Sequence, residues 1–434
     1  MELLASTGEI YSRCTIEDSW TREDFRPAVT SVGSTPAPQK DQVNLFKTCQ
    51  WTPDGSSLVT SNQDQTIRTF VVPPSVENVS DNNDSQASTE LRPYSEIVFP
   101  HAVSSLAVYP RFRLTEYAGA LLCASVTDHP LQLFNIHNHT KDAFSSNSNS
   151  VSGVIATYPL INPNNESMPG TLALAFPSTG ELVSGTTKQR GRVCLYDIGR
   201  PGQAPLHTLE LAGKCRPIVS AIADGPELWA ESRSLVAGYY NSPHLGGLYD
   251  FRTADPAIPF GAAEEEARSD GWKGRIEKGV TQLLWSSNGR YLFVVERRAT
   301  EITVLDARTG FRRLGSLRNY KGDTNQRLTG TIVRGYKDGL NYLFLGSTDG
   351  SVTVYDEVGA VTGTDSEPML SWTSHGQHSN ISSVCVNPIT ENSTVDRPIM
   401  IATTGGQRIP KSAVDDDDFS IENFENSLKV WSIK

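Results

Sequence analysis

The chain has 434 residues, 38 % hydrophobic and 20 % charged, with a formal net charge of −11. That composition supplies enough apolar surface for a large core and excludes a disordered chain, and purely apolar runs such as residues 342–345 fall far short of the ~20 residues a spanning helix needs. The first twelve residues carry Glu2 and Glu9 with neither a basic segment nor a sustained apolar one, so no secretory signal is read there and an intracellular setting is expected. Six cysteines stand without a C-x-x-C pair and read as reduced thiols filling small core positions rather than as disulfides or zinc ligands.

In chain order, alternation over residues 8–14 predicts a strand, and residues 27–40, with Pro27, Pro36 and Pro38, read as a linker. A repeat then begins. Cys49-Gln50-Trp51 leads into the turn Pro53-Asp54-Gly55, followed by Leu58-Val59-Thr60 and by Ile67-Arg68-Thr69-Phe70. The third strand of this unit recurs at residues 131–134, 193–197, 248–250, 302–306, 352–356 and 428–431, closing on Phe134, Tyr196, Tyr249, Leu305, Tyr355 and Trp431 as it first closes on Phe70. These closing positions lie 50 to 76 residues apart, against ~40–45 for a WD-repeat blade. The excess is assigned to polar insertions near 75–91, 139–152 and 407–426, the last holding the run Asp415 to Asp418.

Seven such units, period-2 alternation and no long amphipathic helix predict an all-β chain forming a single seven-bladed WD-repeat β-propeller. The last recognisable strand is a third strand, so one outer strand is missing, and residues 8–14 are expected to close the ring. The predicted organisation is therefore an N-terminal segment 1–26 that supplies the closing strand, a linker 27–44, and a propeller 45–434.

No phosphate-binding loop, nucleophile elbow, metalloprotease motif or dinucleotide fingerprint is present. The histidine pairs His137 with His139 and His375 with His378 read as solvated loop residues, and Asp349 and Asp356 as turn and strand-end residues. No enzyme, metal or cofactor is expected. In an up-and-down blade, the loop leading into the first strand and the loop between the second and third open on one rim. Those loops carry Lys47, Arg190, Arg192, Trp272, Lys273, Arg297, Arg298, Asn325-Gln326-Arg327 and Gln407-Arg408, with Lys188, Lys214, Arg216, Arg275 and Lys278 beside them. The acids Glu264 to Glu266, Asp270, Glu277 and Glu296 reach the same face. Arginine presents a planar fork suited to phosphate, Asn and Gln read base edges, and a tryptophan stacks on a base, so this cluster fits an RNA strand. Bracing of neighbouring loops is the alternative role for the same side chains. A rim without RNA contact makes the chain a scaffold for other proteins.

The stretch Phe46-Lys47-Thr48-Cys49-Gln50-Trp51-Thr52-Pro53-Asp54-Gly55, with Asp64, Arg68 and Pro73-Pro74, resembles the first blade of the telomerase Cajal body protein family of WD-repeat proteins. Residues 192–202 with Arg200-Pro201-Gly202, the segment Thr324-Asn325-Gln326-Arg327, and residues 402–410 with Gly406-Gln407-Arg408 are similar to its third, sixth and seventh blades. The resemblance implies recognition of a short loop element in small Cajal-body RNAs and telomerase RNA. It implies as well the proteins of those ribonucleoprotein particles as partners and a nuclear location, while the short apolar runs already argue against a membrane. Similar fungal proteins extend the implication to spliceosomal small nuclear RNA.

Overall fold

Segments rich in β-branched and small residues form antiparallel strands that pair with their neighbours in sequence, giving seven sheets in the computed structural model. It describes residues 1–8, 44–73, 88–137, 153–161, 168–187, 191–211, 216–225, 232–262, 279–335, 339–357, 366–377, 379–391, 398–406 and 425–433. Blade one is Phe46–Trp51, Ser57–Asn62, Thr66–Val71 and Pro93–Val98, and blade two is Val103–Val108, Leu121–Val126, Leu131–Asn135 and Val154–Tyr158. Blade three is Thr171–Ala175, Leu182–Thr186, Val193–Tyr196 and His207–Leu209; blade four is Ile218–Ala223, Ser234–Tyr240, His244–Asp250 and Ile258–Ala262. Blade five is Val280–Trp285, Tyr291–Glu296, Ile302–Asp306 and Arg312–Leu317; blade six is Gly330–Arg334, Asn341–Gly346, Ser351–Asp356 and Leu370–Thr373. Blade seven takes Ile381–Val386, Ile399–Gly405 and Leu428–Ile433 from the end of the chain and Glu2–Ser6 from its start. The fold is the seven-bladed β-propeller expected, and each closing residue from Phe70 to Trp431 stands in a third strand.

The core lies between blades. Second and third strands are covered on both faces, so Ser57–Asn62 and Thr66–Val71 are buried at every position, which is why they read as continuous small and apolar runs. One apolar cluster joins Val59, Ile67 and Tyr94 of blade one to Leu106, Leu122 and Phe134 of blade two. Buried tyrosines add hydrogen bonds across these seams: Tyr355 donates to the Arg318 carbonyl at 2.8 Å, and Tyr158 to that of Ile198 at 2.7 Å. Cys49, Cys123 and Cys194 are buried small residues of this core, whereas Cys14 and Cys215 lie outside the described residues.

From blade two round to blade one, first strands of successive blades touch one another along the inner ring. Ser220 donates to the Val280 carbonyl at 2.6 Å, the Gln282 amide exchanges two hydrogen bonds with Gly330, the Thr329 amide reaches Ser382, and the Ser383 hydroxyl reaches the Cys49 carbonyl. Blades four, five, six, seven and one are thereby laced in succession at the channel wall.

The ring is closed by an N-terminal strand, but the residues that close it are Glu2–Ser6, paired antiparallel with Leu428–Ile433. Of the segment 8–14 expected in that role, only Gly8 is described. A bulge between Leu3 and Ala5 breaks the two-residue alternation, so this strand carries no period-2 signature. Thr89–Glu90 adds a short parallel strand outside it, and the Leu91 amide donates to the Ser6 carbonyl at 2.8 Å. Leu91 is buried with Leu4, Ala5 and Phe70. It therefore belongs to the core and not to the insertion near 75–91. Asn44, placed in the linker 27–44, is buried too, its side-chain oxygen accepting from the Leu45 amide.

The histidines also depart from expectation. His137 is buried and bonded to the Tyr94 hydroxyl at 2.9 Å, under the stacked ring of Tyr117. His375 is buried where the loop into blade seven crosses Gly350 of blade six. Loop position implied solvent, yet both rings fill gaps between blades. His139 and His378 lie outside the described residues.

Candidate nucleic-acid interface

Alternating strand direction brings the loops that lead into first strands and the loops between second and third strands to one rim. The loop into blade six, residues 319–329, is held there by the Arg298 amide, which donates to the Thr324 carbonyl at 3.2 Å, and by Thr324 Oγ1, which accepts from the Gln326 amide at 3.2 Å. The Gln326 side chain then spans to blade seven. Its Nε2 donates to the Gly406 carbonyl at 3.4 Å, and its Oε1 accepts from Asn380 Nδ2, while the Gly406 amide donates to the Asn380 carbonyl at 2.8 Å. A Cβ at Gly406 would strike the Leu45 side chain ahead of blade one, so the loop runs close against its neighbour only as glycine. Asn325-Gln326-Arg327 is thus tied to the residue immediately before Gln407-Arg408. Gln407 and Arg408 themselves lie outside the described residues, as do Arg190, Trp272 and Lys273.

Arg327 is half-buried, and its Nε is sealed from solvent with no hydrogen-bond partner among the described residues. Burial, helped by the cation of Arg297, pushes its guanidinium down to about 10, so it keeps its charge at neutral pH. An arginine partly withdrawn from water and flanked by a second cation favours an incoming anion, because that anion offsets part of the lost hydration and the repulsion between the cations. Arg297 is exposed and extends one guanidinium nitrogen toward the Asn325 carbonyl at 3.4 Å, with its carbon 5.4 Å from the centre of the Tyr240 ring.

Other cations have local occupations. Arg192 grips Glu210 Oε1 through Nε and Nη2 at 3.1 and 2.6 Å, and Arg298 pairs with Asp323 at 2.9 Å. Both fit the bracing role. Lys47 is the extra residue of a bulge between Phe46 and Thr48, at the start of the first strand of blade one. Sequence reasoning missed Tyr240 and Asn380. Tyr239-Tyr240 closes the second strand of blade four, and period-2 alternation there buries one ring and presents the other at the rim, a signal that was legible.

No protein-family model matches the chain. It is similar to Protein SWT21 of Vanderwaltozyma polyspora, 25 % identical over 377 residues that span 80 % of this chain and 79 % of the relative. Guanine nucleotide-binding protein negative regulator 1 of Schizosaccharomyces pombe is 26 % identical over 319 residues, 71 % of this chain and 70 % of the relative. Telomerase Cajal body protein 1 of Mus musculus is 24 % identical over 387 residues, 87 % of this chain but 62 % of that protein. The likeness to telomerase Cajal body proteins thus runs along most of the chain, with fungal proteins among the relatives.

Proposed function

We propose that the protein is a non-enzymatic RNA-binding propeller that holds a single-stranded loop of a small nuclear or Cajal-body RNA on this rim and serves the assembly or localisation of its particle in the nucleus. The observation that carries the proposal is Arg327, a cation sunk beside Arg297 whose Nε has no hydrogen-bond partner among the described residues, in a loop locked by Gln326 against the start of the second Gln-Arg segment. Phosphate supplies what that cation lacks, and the exposed Asn325 side-chain amide, beside the Gln326–Asn380 brace, offers a donor and an acceptor suited to an unpaired base. The names of the relatives favour a telomerase or Cajal-body particle as the setting.

Ultraviolet cross-linking in cells, purification of the tagged chain and sequencing of the attached RNA test the reading. A small set of structured nuclear RNAs should be enriched, and fewer should be recovered with Arg327→Ala. Recovery of proteins alone, with RNA at background, makes the chain a protein scaffold instead.

A further inference from the structure

Tyr240 ends the second strand of blade four and is 39 % exposed. Its ring does not point idly outward. It lies over Gly279, the residue before the first strand of blade five, where a Cβ would collide with the Tyr240 Cδ2 edge, so glycine is needed for this approach. Gly279 in turn accepts from the Arg297 amide at 2.8 Å, and the Arg297 guanidinium sits 5.4 Å from the ring centre. The ring is therefore positioned by blade five on one side while a large part of it remains open. Exposed Arg216 stands two residues before Ile218, the cross-strand partner of Tyr240. An aromatic surface flanked by cations, on the rim where the Arg327 Nε has no hydrogen-bond partner among the described residues, is the arrangement that binds unpaired bases, by stacking on the π-face with phosphates neutralised alongside.

We infer that Tyr240, braced by Arg297, is the stacking platform for one unpaired base of the same RNA strand whose phosphate meets Arg327, so that the strand crosses the rim from blade six to blade four. This rests on the RNA reading above and adds a contact type to it. The path is continuous: Asn325 accepts from Arg297, and Arg297 both overlies Tyr240 and acts on the charge of Arg327. Arg297 is then a positioning residue for the ring as well as a cation facing the strand.

The experiment measures fluorescence anisotropy of a labelled, random-sequence 20-nucleotide single-stranded RNA pool with the full chain and its variants, over a range of salt. Stacking is tolerant of base identity, so a random pool reports it. Tyr240→Ala should weaken binding roughly five- to tenfold, Tyr240→Leu should lose as much although it still covers Gly279, and Tyr240→Phe should retain most affinity. The dependence of affinity on salt should be unchanged in all three, because no phosphate contact is removed. Binding by Tyr240→Ala equal to that of the natural chain overturns the platform, as does equal loss in Tyr240→Phe, or a flattened salt dependence. Failure of the natural chain to bind the pool at low salt overturns the RNA reading itself and the platform with it. A chain that binds steeply with salt but ignores Tyr240 overturns the platform alone.

Discussion

At the scale of single residues, Arg327 and His375 are both buried ionisable groups with opposite meanings. Arg327 keeps its charge, and Arg327→Ala should weaken RNA binding about tenfold or more, given the usual worth of a charge-assisted contact. Arg327→Lys should recover only part, since an ammonium lacks the planar fork. If Arg327 merely braced its loop, thermal unfolding of the alanine variant would shift as prominently as affinity, so both are measured on the same samples. His375 is held neutral: burial pushes it down to about 4, with Glu425 opposing and Lys429 reinforcing the shift. Its unfolded form takes up a proton below about 6.5 and its folded form only near 4. The stability it contributes is therefore complete above that upper value and declines as pH falls through the window. At pH 5 the loss should be about 2 kcal/mol, and His375→Gln should remove that part of the acid sensitivity in urea melts at pH 7 and pH 5. Residue identity alone could not separate these two cases. An arginine and a histidine in polar loops look alike in sequence, and only the packing of one blade on the next decides which is sealed.

At the scale of elements, blades were legible where burial on both faces imposes continuous small and apolar runs, as in Ser57–Asn62 and Ile302–Asp306. The closing strand was not, because the bulge at Leu3/Ala5 hides its alternation. A bulge near the start of the first strand recurs in every blade but the sixth, between its first and third residues except in blade four, where it falls between the second and fourth. They leave no trace in the repeat because any residue can be the extra one; here it is Lys47, Ser220 or Ser382. The closure makes a sharp prediction. Leu4 is buried among Phe46, Phe70 and Val430, so Leu4→Ala should cost about 2–3 kcal/mol. Removal of residues 1–7 should expose the edge of Leu428–Ile433 and lead to self-association detectable by light scattering. Unchanged melting and a monomeric truncated chain would show that the strand is dispensable. The Ser/Asn-rich insertion divides at the same seam: shortening within 75–87 should leave melting unchanged, whereas Leu91→Ala should lower it, because Leu91 packs on the closing strand.

At the scale of the whole molecule, the formal charge of −11 repels RNA at long range, so any affinity must come from a local concentration of cations. That distinction is measurable. Each phosphate neutralised in a single strand contributes about −0.7 to the slope of log affinity against log salt. Arg297→Ala with Arg327→Ala removes two charges from the proposed rim, whereas Arg111→Ala with Arg113→Ala removes two from the opposite rim, where both side chains are exposed in the loop after the first strand of blade two. Net charge changes equally in the two double variants. A diffuse electrostatic attraction would weaken equally in both. Contacts confined to one face should make the first variant bind more weakly and with a slope shallower by about 1.4, while the second keeps the natural slope. Because Arg297 also braces the Tyr240 ring, affinity in the first variant should fall further than its slope alone accounts for, and placing Lys at position 297 of that variant should return about 0.7 of the lost slope but less than the matching share of affinity. Equal slopes for the two double variants would end the assignment of a face, and with it the functional meaning given to the contact between Gln326 and Gly406.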